Sequence, residues 1–151
     1  MDSDWRTPTA DEWTYVFDTR TTPSGVRYAK AIVNGVSGVI LLPDNWNTYY
    51  YSLTSTNTRE AEYITNVISS SDWTDKLESR GAVFLPVTSY RNGTNCLGPG
   101  NGYYWSSSVK DTQRAYSVYF SKGGLYTPHG PNNNHDYRHN GCAVRLIHVV
   151  E

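Results

Sequence analysis

The sequence predicts an α+β domain with two helices early in the chain and most of its sheet late, on three observations. Thr9-Ala10-Asp11-Glu12 has the form of a capping box placed ahead of an apolar stripe. Asn34-Gly35 separates two runs rich in β-branched residues, the strongest short hairpin signal. In the last third, three aromatic or apolar runs (residues 103–108, 115–120 and 141–146) bracket the polar stretch 131–140, so buried strands frame an exposed loop. With 151 residues the chain can hold one real core and is too short for two, so residues 1–151 are taken as a single domain.

Each element follows in order. Trp13, Val16 and Phe17 fall at i, i+3 and i+4, so residues 11–20 form a helix with one stripe inward. Thr22-Pro23-Ser24-Gly25 ends it. Residues 28–33 and 36–42 are the two hairpin strands, and Pro43-Asp44-Asn45-Trp46 closes the second. Residues 47–66 carry Thr, Ser, Tyr and Asn without periodicity, the pattern of a long surface loop with a short turn of helix near 59–63. A second helix is signalled by Ser71 or Asp72 as cap, Trp73 and Leu77 at i and i+4, and Gly81 past the end. The apolar run Ala82-Val83-Phe84-Leu85-Pro86 reads as a central strand, and residues 91–100 as an irregular loop. Strands near 104–107, 115–121 and 143–149 complete the sheet.

Composition narrows the partners. Hydrophobic residues make up 38% and charged residues 18%, with 5 Trp and 13 Tyr, so amphipathic rings replace missing aliphatics. A net charge of -1 and a pI near 6.4 leave no electrostatic footprint for nucleic acid or for an anionic membrane. No apolar run is long enough to span a bilayer, and direct membrane insertion is not expected. Met1-Asp2-Ser3-Asp4-Trp5 has neither a basic nor an apolar leader region, and the abrupt start at Trp5-Arg6 suggests a longer parent with a signal and an anchor. Cys96 and Cys142 are too few for a disulfide framework and are read as two free thiols.

Two groups of motifs carry a resemblance. Residues 5–13, Trp-Arg-Thr-Pro-Thr-Ala-Asp-Glu-Trp, look like the Leu-Pro-Thr-x-x-Glu-Trp helix start of the formylglycine-generating-enzyme-like branch of the C-type lectin-fold superfamily. Gly102-Tyr103-Tyr104-Trp105-Ser106-Ser107-Ser108, Ala115-Tyr116 through Phe120, and Arg138-x-x-Gly141-x-x-Val144-Arg145-Leu146 are similar to the C-terminal signature of the Bacteroidetes and Fibrobacter major-paralogue surface proteins. The resemblance implies a C-type lectin-like fold, a twisted antiparallel sheet and two helices supporting long ligand-binding loops. It also implies the variable protein of a diversity-generating retroelement, as in a phage tropism determinant or adhesins of gut bacteria, with residues 102–149 as the variable region. Adenine-directed mutation of Asn codons does not yield Lys, Glu, Gln, Met or Trp while the third base stays a pyrimidine. None of these five occurs in residues 123–150, where this composition leads one to expect about three. The run Asn132-Asn133-Asn134 fits template positions left unchanged.

Catalytic readings are weaker. His135 and His139, four apart around Asp136, would share a helical face suited to zinc, but Pro131 and the Asn run argue for loop. Formylglycine-generating catalysis in the resembling family uses a C-terminal cysteine pair that binds copper, and Cys142 lies inside the terminal motif instead. The Glu-Pro-Asn or Gln-Pro-Asp and Trp-Asn-Asp triplets of calcium-dependent lectins are missing from the chain. No cofactor is therefore expected. Tyr104, Trp105, Tyr116, Val118 and Phe120 read as framework, with Arg138 and Arg145 tying loops to carbonyls. Ser117, Tyr119 and Ser121 project from the opposite face of that strand. With Val109, Asp111, Tyr126, His129, Asn132, Asn133, Asn134, His135, Asp136, His139, Asn140 and Cys142 they make the expected ligand-binding surface, of paratope-like composition. The expected function is a non-enzymatic adhesin or receptor-binding module, extracellular, on a cell surface or virion, for a protein or glycan ligand on another surface. The alternative is a metal-dependent or hydrolytic enzyme using loop His and Asp residues.

Overall fold

The computed structural model describes residues 4–150. Met1, Asp2 and Ser3 of the N-terminal stretch, and Glu151, lie outside the described residues. A two-residue strand, β1 (Trp5–Arg6), precedes helix α1 (Ala10–Thr14), which widens into a π-helical turn over Tyr15–Thr19. Thr9 Oγ1 accepts from the Glu12 amide at 3.1 Å and the Glu12 carboxylate accepts from the Thr9 amide at 2.8 Å, so the capping box forms. Arg6 adds two bonds to that carboxylate, and with them holds Glu12 at about 2, far below the usual carboxylate range. Trp13 and Phe17 are buried, whereas Val16 at the edge of the stripe is half-buried. The expected helix is thus present, with a wider last turn closed by the Arg20 amide on the Tyr15 carbonyl at 2.9 Å.

Strands β2 (Tyr28–Val33) and β3 (Val36–Leu41) pair antiparallel around Asn34 at φ 46° and Gly35 at φ 80°, the two left-handed positions that this hairpin turn requires. Residues 47–66 are more than a surface loop. Asn57 Oδ1 accepts from the Arg27 amide at 2.8 Å and its Nδ2 donates to the Gly25 carbonyl at 2.7 Å. Buried Asn66 donates to the carbonyls of Lys30 and Thr54 at 2.9 and 3.0 Å. These amides stand in for missing ladder bonds, a role that composition cannot distinguish from ordinary turn formation. The short turn of helix lies at Tyr63–Thr65, slightly later than expected.

After β4 (Val67–Ile68), the second helix begins as α2 (Ser70–Asp72), runs through a π turn at Trp73–Leu77 and a 3₁₀ turn at Glu78–Arg80, and stops at Gly81 with φ 93°. Its cap is Ser69, whose Oγ accepts from the Asp72 amide at 3.1 Å, in place of the expected Ser71 or Asp72. Strand β5 (Val83–Pro86) then corrects another expectation: in the sheet order β4-β2-β3-β5 it is an edge strand, not a central one. Pro86 has no N–H to give a further neighbour, which suits an edge.

The remaining strands are β6 (Tyr90–Asn92), β7 (Asn95–Leu97), β8 (Gly102–Val109), β9 (Arg114–Ser121), β10 (Gly124–Tyr126), β11 (His135–Tyr137) and β12 (Ile147–His148). β6 and β7 form a hairpin where an irregular loop was expected, turned at Gly93 with φ 59°. β9 is the centre of the second sheet: β8 lies along one edge, and β10 and β11 share the other end to end. The expected strand over 143–149 shrinks to β12, which pairs with β1, while Ala143 bridges Tyr104 of β8. Val144 and Leu146 between them are about half exposed, so alternation there does not mark a buried strand.

Two cores result. Trp13 and Phe17 of the first helix, Tyr28, Val39 and Leu85 of the first sheet, and Tyr104, Val118, Phe120 and Leu125 of the second fill one. The opposite face of the first sheet packs Ala31, Ile40 and Leu42 against Trp46, Ile68 and Leu77. Lys30 lies on the inter-sheet side, 1% exposed, with Nζ donating to the carbonyls of Arg59, Ser121 and Gly124 at 2.6, 2.8 and 3.0 Å. It joins β2 to the β9–β10 turn. Asp18 at the end of the first helix pairs with Arg59 and accepts from buried Thr127, which fixes the start of the 127–134 loop.

Candidate ligand-binding surface

Register decides which side chains leave the core. Val118 and Phe120 are fully buried, so alternation along β9 turns Tyr119 outward. Tyr119 stands opposite Tyr103 of β8 and opposite Tyr126 of β10. Ring centroids are 4.9 Å apart for Tyr103–Tyr119 and 5.6 Å for Tyr119–Tyr126, and Tyr90 of β6 adds its ring to Tyr103 at 4.8 Å. Four half-buried tyrosines thus form a row across four strands on the face away from the core. Cross-strand contact holds each ring in place, so little side-chain freedom remains to be lost on binding. Burial raises the Tyr103 phenol above its ordinary value.

A second cluster lies beside the row. Asp136 Oδ1 accepts from the Tyr137 amide at 2.9 Å and from Asn140 Nδ2, and its Oδ2 lies 3.9 Å from Cys142 Sγ. Burial, and secondarily the Asp136 charge, push the Cys142 thiol up to about 12. Cys96 is exposed, and both cysteines are free. Iodoacetamide under native conditions is therefore expected to alkylate Cys96 and spare Cys142, read by peptide mass spectrometry. Equal labelling would show that Cys142 is not sheltered in solution.

The remaining expected surface residues separate into different environments. Ser117 is a correction: it is 1% exposed, covered by Asn134, whose Nδ2 donates to Ser117 O and Oγ at 2.9 and 3.0 Å. Asn134 therefore fastens the loop to β9 and is itself half-buried. Asn140, at 8% exposure, is likewise inside, held by Asp136. His135 and Asp136 lie in β11, not in a loop, because their backbones pair with Tyr116 and Ala115. The His135 ring bonds the Asn133 carbonyl at 2.7 Å and Arg114 at 3.2 Å, while His139 stacks on Tyr137. Among the described residues no three His, Cys, Asp or Glu side chains gather where they could hold a metal ion.

Asp111 caps the β8–β9 turn, accepting from the Gln113 and Arg114 amides at 2.9 Å, and pairs with Arg114; these bonds lower its pKa. His129 faces α1, 2.9 Å from Asp11 and edge-on to Tyr116 at 5.1 Å, on the other side of the sheet from Tyr119. Val109, Asn132, Asn133 and His139 are exposed, and Ser121 is half-buried. Tyr119 and Tyr126 are thus brought together, as are Asp136, Asn140 and Cys142.

Tyr103 and Tyr90 belong to the surface and were missed. Tyr103 was legible: if Tyr104 faces inward, its neighbours on β8 face outward, the same count that places Tyr119. No local signal marks Tyr90, which arrives through the β6–β7 hairpin and the bridge from Arg91 to Gly141. The chain matches no family model, no curated protein and no solved structure. No helix among the described residues is long and apolar enough to cross a membrane.

Proposed function

We propose that this chain is a non-enzymatic ligand-binding module of C-type lectin-like architecture, an adhesin or receptor-binding domain that displays a diversified surface at a cell or virion exterior. The observation that carries the reading is the row Tyr90, Tyr103, Tyr119 and Tyr126 beside Asp136 and Cys142. Rigid aromatic rings supply contact area at low entropic cost, and flanking polar groups supply direction. The fold supports it too: two helices and antiparallel strands support the row, and its outward positions alternate with core residues. Replacement of Tyr119 leaves Val118 and Phe120 undisturbed, so the scaffold tolerates variation there. In the diversified set we include Tyr119, Tyr126, Val109, Asn132, Asn133 and His139, and leave out buried Ser117 and Asn140.

Labelled protein applied to a printed glycan array and to a panel of intact bacterial cells is expected to bind at least one target. Tyr119→Ala should weaken that binding about tenfold or more with an unchanged circular dichroism spectrum. Binding to nothing on either panel, or full binding by Tyr119→Ala, would overturn the proposal. Coding DNA tests the retroelement part separately. A near-copy of the segment for residues 103–149 should lie beside a reverse transcriptase gene, with mismatches confined to template adenines.

A further inference from the structure

An apolar groove of about 320 Å³ runs between the first helix and the C-terminal segment, on a side of the molecule that shares no lining residue with the tyrosine row. Trp13, Val16, Leu41 and Val83 form its floor and walls, and Leu146, 49% exposed, forms its lip. Its volume stands at the low end of the range for small-molecule sites, about 300–1,000 Å³. The walls offer almost nothing that hydrogen-bonds, so a ligand there is held by its hydrocarbon.

Two charged groups reach the groove, and they are not equivalent. Glu12 is already neutralised: Arg6 donates to both of its carboxylate oxygens and the Thr9 amide donates a third bond. Arg145 is exposed, and no carboxylate among the described residues pairs with it. The Tyr104 hydroxyl of the adjacent core donates to the Pro86 carbonyl at 2.7 Å and, as a neutral group, does not offset the guanidinium charge. Among the described residues the groove thus presents one uncompensated positive charge at the edge of a hydrocarbon surface. A guanidinium fork is suited to a carboxylate, and the groove to an unbranched chain.

We propose that this groove is a second binding site, which takes a medium-chain alkyl carboxylate with its head on Arg145 and its chain along Val16, Leu41 and Val83. The site stands independently of the function proposed for the tyrosine row.

Hexanoate, octanoate and decanoate titrated into ¹⁵N-labelled protein, below their micellar concentrations, test it. Saturable shifts should centre on the amides of Val83 and Leu146, with affinity rising about fourfold per methylene until the groove is full. Arg145→Gln should weaken decanoate about tenfold and leave decanol unchanged, because only the carboxylate uses the fork. Val16→Trp, a replacement on a half-exposed helical position, should fill the groove and abolish binding of both while the rest of the amide spectrum stays in place. The proposal is overturned if decanoate does not saturate, if shifts map elsewhere, or if Arg145→Gln binds decanoate as tightly as the parent.

Discussion

Lys30→Met is expected to destabilise the domain by about 2–4 kcal/mol, since the buried Gly124 carbonyl and the part-buried carbonyls of Arg59 and Ser121 lose their donor, and a buried unsatisfied acceptor costs about 1–3 kcal/mol. Part of that cost is offset, because Met has no ammonium to desolvate. The three acceptors sit on the Arg59 loop and the β9–β10 turn, so the variant also loosens the contact between the two sheets. Urea denaturation followed by tryptophan fluorescence measures it, and a loss below about 1 kcal/mol would show that water replaces the ammonium.

The pH dependence has a definite sign. Burial pushes the Lys30 amine down to about 8 from 10.5, with the Glu60 charge opposing. The folded state therefore holds this proton less tightly than the unfolded chain does. Between those two values unfolding takes up a proton, so the contribution of Lys30 to stability rises with pH across the window. Parent and Lys30→Met should differ more at pH 9.5 than at pH 7. A gap that narrows would place the lysine above its ordinary value and reverse the assignment.

Gly102→Val is expected to cost about 2–4 kcal/mol although valine favours strands, because this position has no room for a side chain. Gly102 pairs across the ladder with Phe120, and a Cβ there would overlap the phenyl ring. Phe120 cannot yield: it is fully buried and stacks at 6.0 Å on Tyr104. For a domain of this size the loss lowers the melting temperature by roughly 5–15 °C. Gly123→Ala, with nothing near its Cβ, is the control and should be neutral within about 0.5 kcal/mol. Pairing Gly102→Val with Phe120→Leu should recover part of the loss, and strict additivity of the two would refute a clash between them.

The elements legible in the sequence are those whose cause is local. The Thr9–Glu12 box, the Asn34-Gly35 turn and the Gly81 stop each place their partners within a few residues, and each forms as expected. Alternation along β9 similarly separates Tyr119 from Val118 and Phe120. The misjudged elements are set by distant chain. His135–Tyr137 becomes a strand because β9 leaves an edge free beyond β10, and β5 takes the edge because β3 already has β2 on its other side. Ser117 looks like a surface serine until Asn134 folds over it.

The sequence alone determined the α+β class, the hairpin, the first cap and the inward face of β9, because short-range hydrogen bonds and side-chain period act within a few residues. Only the tertiary structure decided which tyrosines meet, which amides are spent as backbone partners, and that a lysine sits between two sheets. Those outcomes depend on strand neighbours and on what covers each face, and such contacts join residues about thirty to ninety positions apart in the chain.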